Sequence, residues 1–107
     1  MKFVNDNEEI KSIISDNKMV VLYFSNNICG ACEVIGRKIE EILEAYTQVK
    51  LLGVDGENNI ETAALYDVFS FPLMILFVYG KETIRVGRNV DFNELENNIN
   101  RYYDMMK

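Results

Sequence analysis

The sequence predicts an α/β fold, with a mixed, mostly parallel five-stranded sheet flanked by four helices. Three observations carry this. The runs "MVVLYF" and "LMILFVY" are apolar throughout, as strands buried on both faces are. Segments with a helical apolar stripe alternate with the strand-like runs. The last two strand segments are separated only by a turn, which pairs them as a hairpin.

Each element has its own signal. "KFV" near the N-terminus reads as a short edge strand. Asn5 or Asp6 caps a first helix, with Glu8 or Glu9 three residues on and Ile10, Ile13 and Ile14 as its stripe. "KMVVLYF" (18–24) is a buried strand. Residues 29–46 read as a long helix: Ile35, Ile39, Ile42, Leu43 and Tyr46 share one face, and Glu33, Arg37, Lys38, Glu40, Glu41 and Glu44 take the other. "VKLLGVD" (49–55) is the next strand, and "NNIETAALYDVF" (58–69) is a shorter helix with an Asn cap. "LMILFVY" (73–79) follows as a strand, and Gly80 supplies the positive φ of a tight turn into "ETIRVG" (82–87). Asp91 caps a last helix, with Glu94 at the capping-box position and Phe92, Leu95, Ile99, Tyr102 and Met106 as its stripe. Right-handed crossovers leave few other topologies for this order.

The chain has 107 residues, the usual size of one domain, so residues 1–107 are expected to form a single unit. Hydrophobic residues make up 49% and there is one Pro, which argues against disorder. The net charge is −6 and no stretch is strongly basic, which argues against nucleic acid and anionic lipid as partners. Both apolar runs are far too short to span a membrane. With no His, Cys–His nucleophilic catalysis and His-based metal sites are excluded. The N-terminus "MKFVNDNEEI" turns polar at once, without the apolar region of a secretory signal. The expected compartment is the reducing cytoplasm, where a close Cys pair is more often catalytic or metal-binding than structural.

Cys29 and Cys32 are the only two cysteines. They follow a buried strand and a short polar loop, "SNN", and Cys29 opens the long helix. That is the carboxyl end of a strand, where α/β folds place their sites. The first turn of a helix has free N–H groups and the positive end of the dipole, both of which favour a thiolate. Cys29 is therefore expected to ionise below the free thiol value of about 8.5. Cys32 lies one turn on, on the same side, close enough to close a disulfide. Gly30 between them removes Cβ crowding and lets a partner's backbone approach. Three readings fit the pair: a redox dithiol, two small buried hydrophobes, or half of a metal site. The last needs four ligands and hence two chains. Redox chemistry is the reading that uses the helix-start position.

"VVLYFSNNICGAC", followed downstream by "SFPLMILFVYGKE" and "RVG", resembles the thioredoxin family over essentially the whole chain. The resemblance implies the thioredoxin fold and a protein thiol–disulfide oxidoreductase without a bound cofactor. It implies Cys29 as the attacking thiol, Cys32 as the resolving thiol, and Pro72 as a cis-proline facing them. It implies that the backbone of Phe71 pairs with an extended substrate segment. Ile28, Gly30, Ala31, Phe71, Pro72 and Gly87 would form the substrate surface. The implied partners are protein disulfides and a thioredoxin-reductase-type electron donor, with the protein a monomer.

The departures define the rival readings. Ile28 stands where the family usually has Trp, and Ala31 where it has Pro. Tyr23 replaces a buried Asp, Leu51 replaces its Lys partner, and Arg37 replaces the proline that kinks the active-site helix. Tyr23 is expected to be a packing residue, since a phenol of pKa about 10 is a poor base at neutral pH. Asp55 and Glu57 are then the next candidates to deprotonate Cys32. The missing residues also fit a dedicated redox carrier or adaptor that serves one partner and reduces other proteins poorly. A metal module with four thiolates shared by two chains is the remaining alternative.

Overall fold

The computed structural model describes residues 1–106. Its strands are β1 (Lys2–Phe3), β2 (Met19–Ser25), β3 (Val49–Asp55), β4 (Leu73–Val78) and β5 (Lys81–Val86). Its helices are α1 (Asn7–Asp16), α2 (Gly30–Leu43), α3 (Ile60–Leu65) and α4 (Phe92–Met106). The sheet order is β1-β3-β2-β4-β5, so β2 lies at the centre.

The period-2 alternation of a strand divides β2 between two cores. Met19, Val21 and Tyr23 pack with Ile35, Ile39 and Ile42 of α2 and Leu95 and Ile99 of α4. Val20, Leu22 and Phe24 pack on the other face with Ile10 and Ile14 of α1 and Ala63 of α3. An unbroken apolar run is what a strand covered on both faces requires.

The caps follow sequence chemistry. The Asp6 carboxylate accepts the Glu8 N–H (3.0 Å) and the Asp91 carboxylate accepts the Glu94 N–H (3.1 Å). The β4–β5 turn needs positive φ at both central residues, Tyr79 (50°) and Gly80 (78°), whereas the sequence suggested only the glycine. The predicted helix over 29–46 stops at Leu43, yet Tyr46 still packs edge-on against Tyr103 at 5.1 Å.

The expectation of a mostly parallel sheet is corrected: β1–β3 and β2–β3 are parallel, but β2–β4 and β4–β5 are antiparallel. The cause is α3. The predicted helix over 58–69 is in fact 6 residues long. At 1.5 Å per residue it advances about 9 Å, too little to carry the chain back along a strand about 23 Å long. β4 therefore starts at the end where β3 finishes, with Leu73 opposite Phe24, and runs the other way. The helix stops at Asp67, whose φ is 57°. The Asp67 N–H donates to the Ala64 carbonyl (3.1 Å) and the Val68 N–H to the Ala63 carbonyl (2.8 Å). That is a Schellman ending with Asp in the place usually held by Gly, so the sequence carried no glycine stop signal. Arg85 of β5 reinforces it, donating to the carbonyls of Tyr66 (2.6 Å) and Asp67 (3.2 Å).

Two glycines of α2 should respond oppositely to alanine. A Cβ on Gly36 would sit 2.9 Å from the buried Tyr23 ring, whereas a Cβ on Gly30 meets nothing within 4 Å. In urea titrations, Gly36→Ala is expected to lose about 1–3 kcal/mol through overpacking. Gly30→Ala should gain up to about 1 kcal/mol from reduced backbone entropy.

Candidate active site

The loop 26–29 leaves the carboxyl end of β2 and delivers the chain to α2. Cys29 is the N-cap of that helix, with extended backbone (φ −99°, ψ 104°). Its Sγ accepts the Cys32 N–H at 3.1 Å, the place a Ser or Asp oxygen takes in an ordinary cap. The cap atom is thus a thiol sulfur, and the helix N-terminus that it satisfies favours its anion.

The two thiols sit in different media. Cys29 is half-buried, and its ionisation is pulled below the ordinary thiol range. The largest cause is a hydrogen bond from the Cys32 thiol, and partial burial opposes it. The Cys32 N–H, the charge of Arg88 and the Ala31 N–H add to the lowering. Cys32 is 4% exposed, and burial pushes its pKa up to about 11, assisted by the hydrogen bond to Cys29 and partly offset by the Asn26 N–H. One sulfur is prepared as an anion and the other is kept as a thiol.

Tyr23 lies under this pair, 2% exposed. Its hydroxyl donates to the Cys32 carbonyl at 2.5 Å, and burial holds the phenol well above its usual range. It therefore packs against α2 and tethers the first turn; it does not take up a proton. Asp55, the next candidate, is engaged within its own loop. Its carboxylate accepts the N–H groups of Glu57 (3.1 Å) and Asn58 (3.3 Å) and the Asn58 amide (2.7 Å), and Glu57 is exposed. The pair instead borders a cleft of about 370 Å³ lined by Tyr23, Asn26, Cys29, Cys32 and Gly36. The Asn26 Oδ1 beside this cleft is buried and has no hydrogen-bond partner.

The remaining residues marked in the sequence fall on one side. The Phe71–Pro72 peptide bond is cis. Ile28 is 87% exposed, Ala31 and Phe71 are half-buried, and Pro72 is buried, so its ring adds little to the surface expected of it. Gly30 faces open space, so the crowding that it avoids is not within the chain. A Cβ on Gly87 would meet only the Pro72 carbonyl, at an ordinary 3.7 Å. Arg37 is exposed and paired with Glu33 at 3.0 Å, and α2 continues unbroken through it.

Sequence reading missed four contributors. Ile60 (72% exposed) and Phe69 (81%) join Ile28 and Phe71 around an apolar hollow of about 450 Å³. Gly56 makes room for the Phe71 ring, which would overlap any Cβ there (2.2 Å). Arg88 reaches back from the loop after β5, its Nη2 lying 3.7 Å from the Cys29 Sγ and 3.1 Å from the Phe71 carbonyl. Its one signal in the sequence was its position beside Gly87. Among the described residues no group of three or more His, Cys, Asp or Glu is placed to hold a metal, and no helix is long and apolar enough to cross a membrane.

Comparison with known proteins gives a consistent result. The family model for thioredoxin matches residues 2–101. The chain is 32% identical to a thioredoxin of Mycoplasmoides gallisepticum over 96 residues, covering 90% of this chain and 96% of that one. It is 29% identical to a thioredoxin-like protein of Bacillus subtilis over 94 residues, covering 88% and 84%. Among solved structures, the thioredoxin of Fasciola hepatica superposes with a TM-score of 0.83 at 28% identity, covering 95% of this chain and 99% of that one.

Two measurements test the division of labour. In the reduced protein, iodoacetamide should label Cys29 first, with a midpoint below about 8.5, and Cys32 only as the pH approaches about 11. Labelling of Cys32 first would reverse the roles. Tyr23→Phe should lose about 1 kcal/mol of stability from the missing hydrogen bond. It should leave the pH profile of mixed-disulfide resolution unmoved, and a shifted profile would make the phenol a proton carrier.

Proposed function

The chain belongs to the thioredoxin family and is a thiol–disulfide oxidoreductase; on that premise we propose that Cys29 attacks protein disulfides and Cys32 resolves the product. The Cys29 thiolate attacks one sulfur of a substrate disulfide. A Cys29–substrate disulfide forms and the other substrate sulfur leaves as a thiolate. Cys32 then loses its proton and attacks Cys29 Sγ, expelling the second substrate thiolate and closing Cys29–Cys32. Two electrons pass to the substrate. The observation that carries the assignment is the Cys29 sulfur capping α2, beside a buried Cys32.

The proton on Cys32 has no buried carboxylate to receive it. The first substrate thiolate, released beside it, and water in the adjoining cleft are the available acceptors. Resolution therefore accelerates as pH rises toward the Cys32 value of about 11. Ile28, Phe69 and Phe71 form the apolar surface for the substrate, with the Phe71 backbone pairing to an extended segment. Gly30, Ala31, Pro72 and Gly87 shape the backbone around it. The dithiol is returned by a reductase or glutathione system in the cytoplasm, and the protein works as a monomer; both thiols and the flanking arginine come from one chain, so the site needs no second copy. Tyr23 in place of a carboxylate favours a second reading, a carrier dedicated to one partner. Slow reduction of general substrates with fast exchange to one protein would identify it.

Disulfide reduction of insulin is the direct test. Cys29→Ser should abolish it. Cys32→Ser should accumulate a mixed disulfide that mass spectrometry detects. Ile28→Glu should lower kcat/KM by about tenfold while leaving Cys29 alkylation unchanged, as expected for about 1.4 kcal/mol of lost contact. Undiminished turnover in Cys29→Ser would refute the mechanism.

A further inference from the structure

Arg88 is an unusual charge in this molecule. The chain carries a net charge of −6, and the other described arginines are engaged away from the thiols. Arg37 is held by Glu33, Arg85 by Glu82 and the carbonyls ending α3, and Arg101 by Asn98. Among the described residues, none of the ion pairs involves Arg88. Its contacts are the attacking sulfur and the carbonyl of Phe71, and both are made by one nitrogen, Nη2.

We propose that Arg88 is a specificity-determining residue that pairs with a carboxylate beside the target disulfide, so that the protein prefers disulfides flanked by Asp, Glu or a C-terminal carboxylate. This deepens the oxidoreductase reading and rests on it. The guanidinium presents five N–H donors in a planar fork suited to carboxylates, and most of them are uncommitted here. In the reduced protein the Cys29 thiolate balances its charge. When Cys29 enters the mixed disulfide, the sulfur becomes neutral. The guanidinium then lacks an anion at the moment the substrate is covalently held. A substrate carboxylate supplies one, and a substrate lysine meets like charge. The Phe71 carbonyl fixes the geometry, because an oxygen has two lone pairs. Arg88 uses one and leaves the other for the substrate main chain, so the flanking side chain lies beside the guanidinium.

Asp91 and Glu94 border a hollow that they share with Arg88, but among the described residues neither forms an ion pair with it. The titratable groups facing Cys29 are Cys32 from α2 and, beneath it, Tyr23 from β2, which stays protonated. Glu33 and Glu40 border the adjoining cleft, but they pair with Arg37 and the N-terminal amine. Glu57 borders the apolar hollow, on the Ile28 side.

The test uses two peptide disulfides identical except for Glu or Lys beside the bridged cysteine. Single-turnover reduction is measured for the native protein, Arg88→Gln and Arg88→Lys. Each rate is divided by the Cys29 thiolate fraction from a separate alkylation titration, which removes any effect of Arg88 on ionisation. The native protein should favour the Glu peptide by about fivefold at low salt, with the preference fading toward 1 M salt as charges are screened. Arg88→Gln should abolish the preference, and Arg88→Lys should keep part of it. Equal rates for the two peptides, or an unchanged preference in Arg88→Gln, overturns the proposal and leaves the oxidoreductase reading intact. No reduction of either peptide by the native protein overturns both.

Discussion

The hydrogen bond from the Cys32 N–H to the Cys29 sulfur is the contact on which the rest depends, because one atom both caps the helix and belongs to the close cysteine pair. A helix needs an acceptor at its first turn, and a nucleophilic sulfur needs donors that favour its anion. Placing the sulfur at the cap meets both needs with one bond. The position of that cap is fixed from below. β2 pairs with β3 over seven residues and with β4 over six, and its side chains are buried on both faces. α2 is clamped onto that strand through Ile35, Ile39 and Ile42. The cap therefore stands on the most constrained strand of the molecule.

The same helix turn supplies two thiols with opposite electrostatics. Cys29 meets backbone donors and a guanidinium, whereas Cys32 points into the core. Sequential chemistry requires this difference, since two equally ionised sulfurs would repel and two equally neutral ones would not attack. Tyr23 shapes the buried half. A phenol there carries no charge to desolvate, so it spares the several kcal/mol that burying an unpaired carboxylate costs. It also leaves no base. Gly36 makes the arrangement sterically possible, since its missing Cβ is the space that the ring fills.

The surroundings of the dithiol are set by where α3 stops. A six-residue helix ended by Asp67 and held by Arg85 sends the chain back along β2 in reverse and leaves 66–72 as a loop at the active-site end. That loop carries Phe69 and Phe71, and Gly56 lets the Phe71 ring settle against the end of β3. The result is an uneven rim. One side is apolar and open around Ile28, while the other carries the charge of Arg88.

The sequence by itself determined the elements whose signals are local. The unbroken apolar run of β2, the stripe of α2, the Asp6 and Asp91 caps and the spacing of Cys29 and Cys32 were all legible, because a period or a cap is written within a few adjacent residues. The resemblance carried by "NICGAC" and "SFP" identified the dithiol and Pro72. Tertiary structure decided what depends on distant partners. The direction of β4 followed from the length of α3, which turned on an Asp adopting a glycine-like conformation and an arginine from β5 bonding its last carbonyls. Gly36 and Gly56 looked like ordinary glycines until Tyr23 and Phe71 were seen against them. Arg88 stands 59 residues from Cys29, so no local pattern could place its charge on that sulfur. Such roles belong to contacts between residues far apart in the chain, and folding alone brings those residues together.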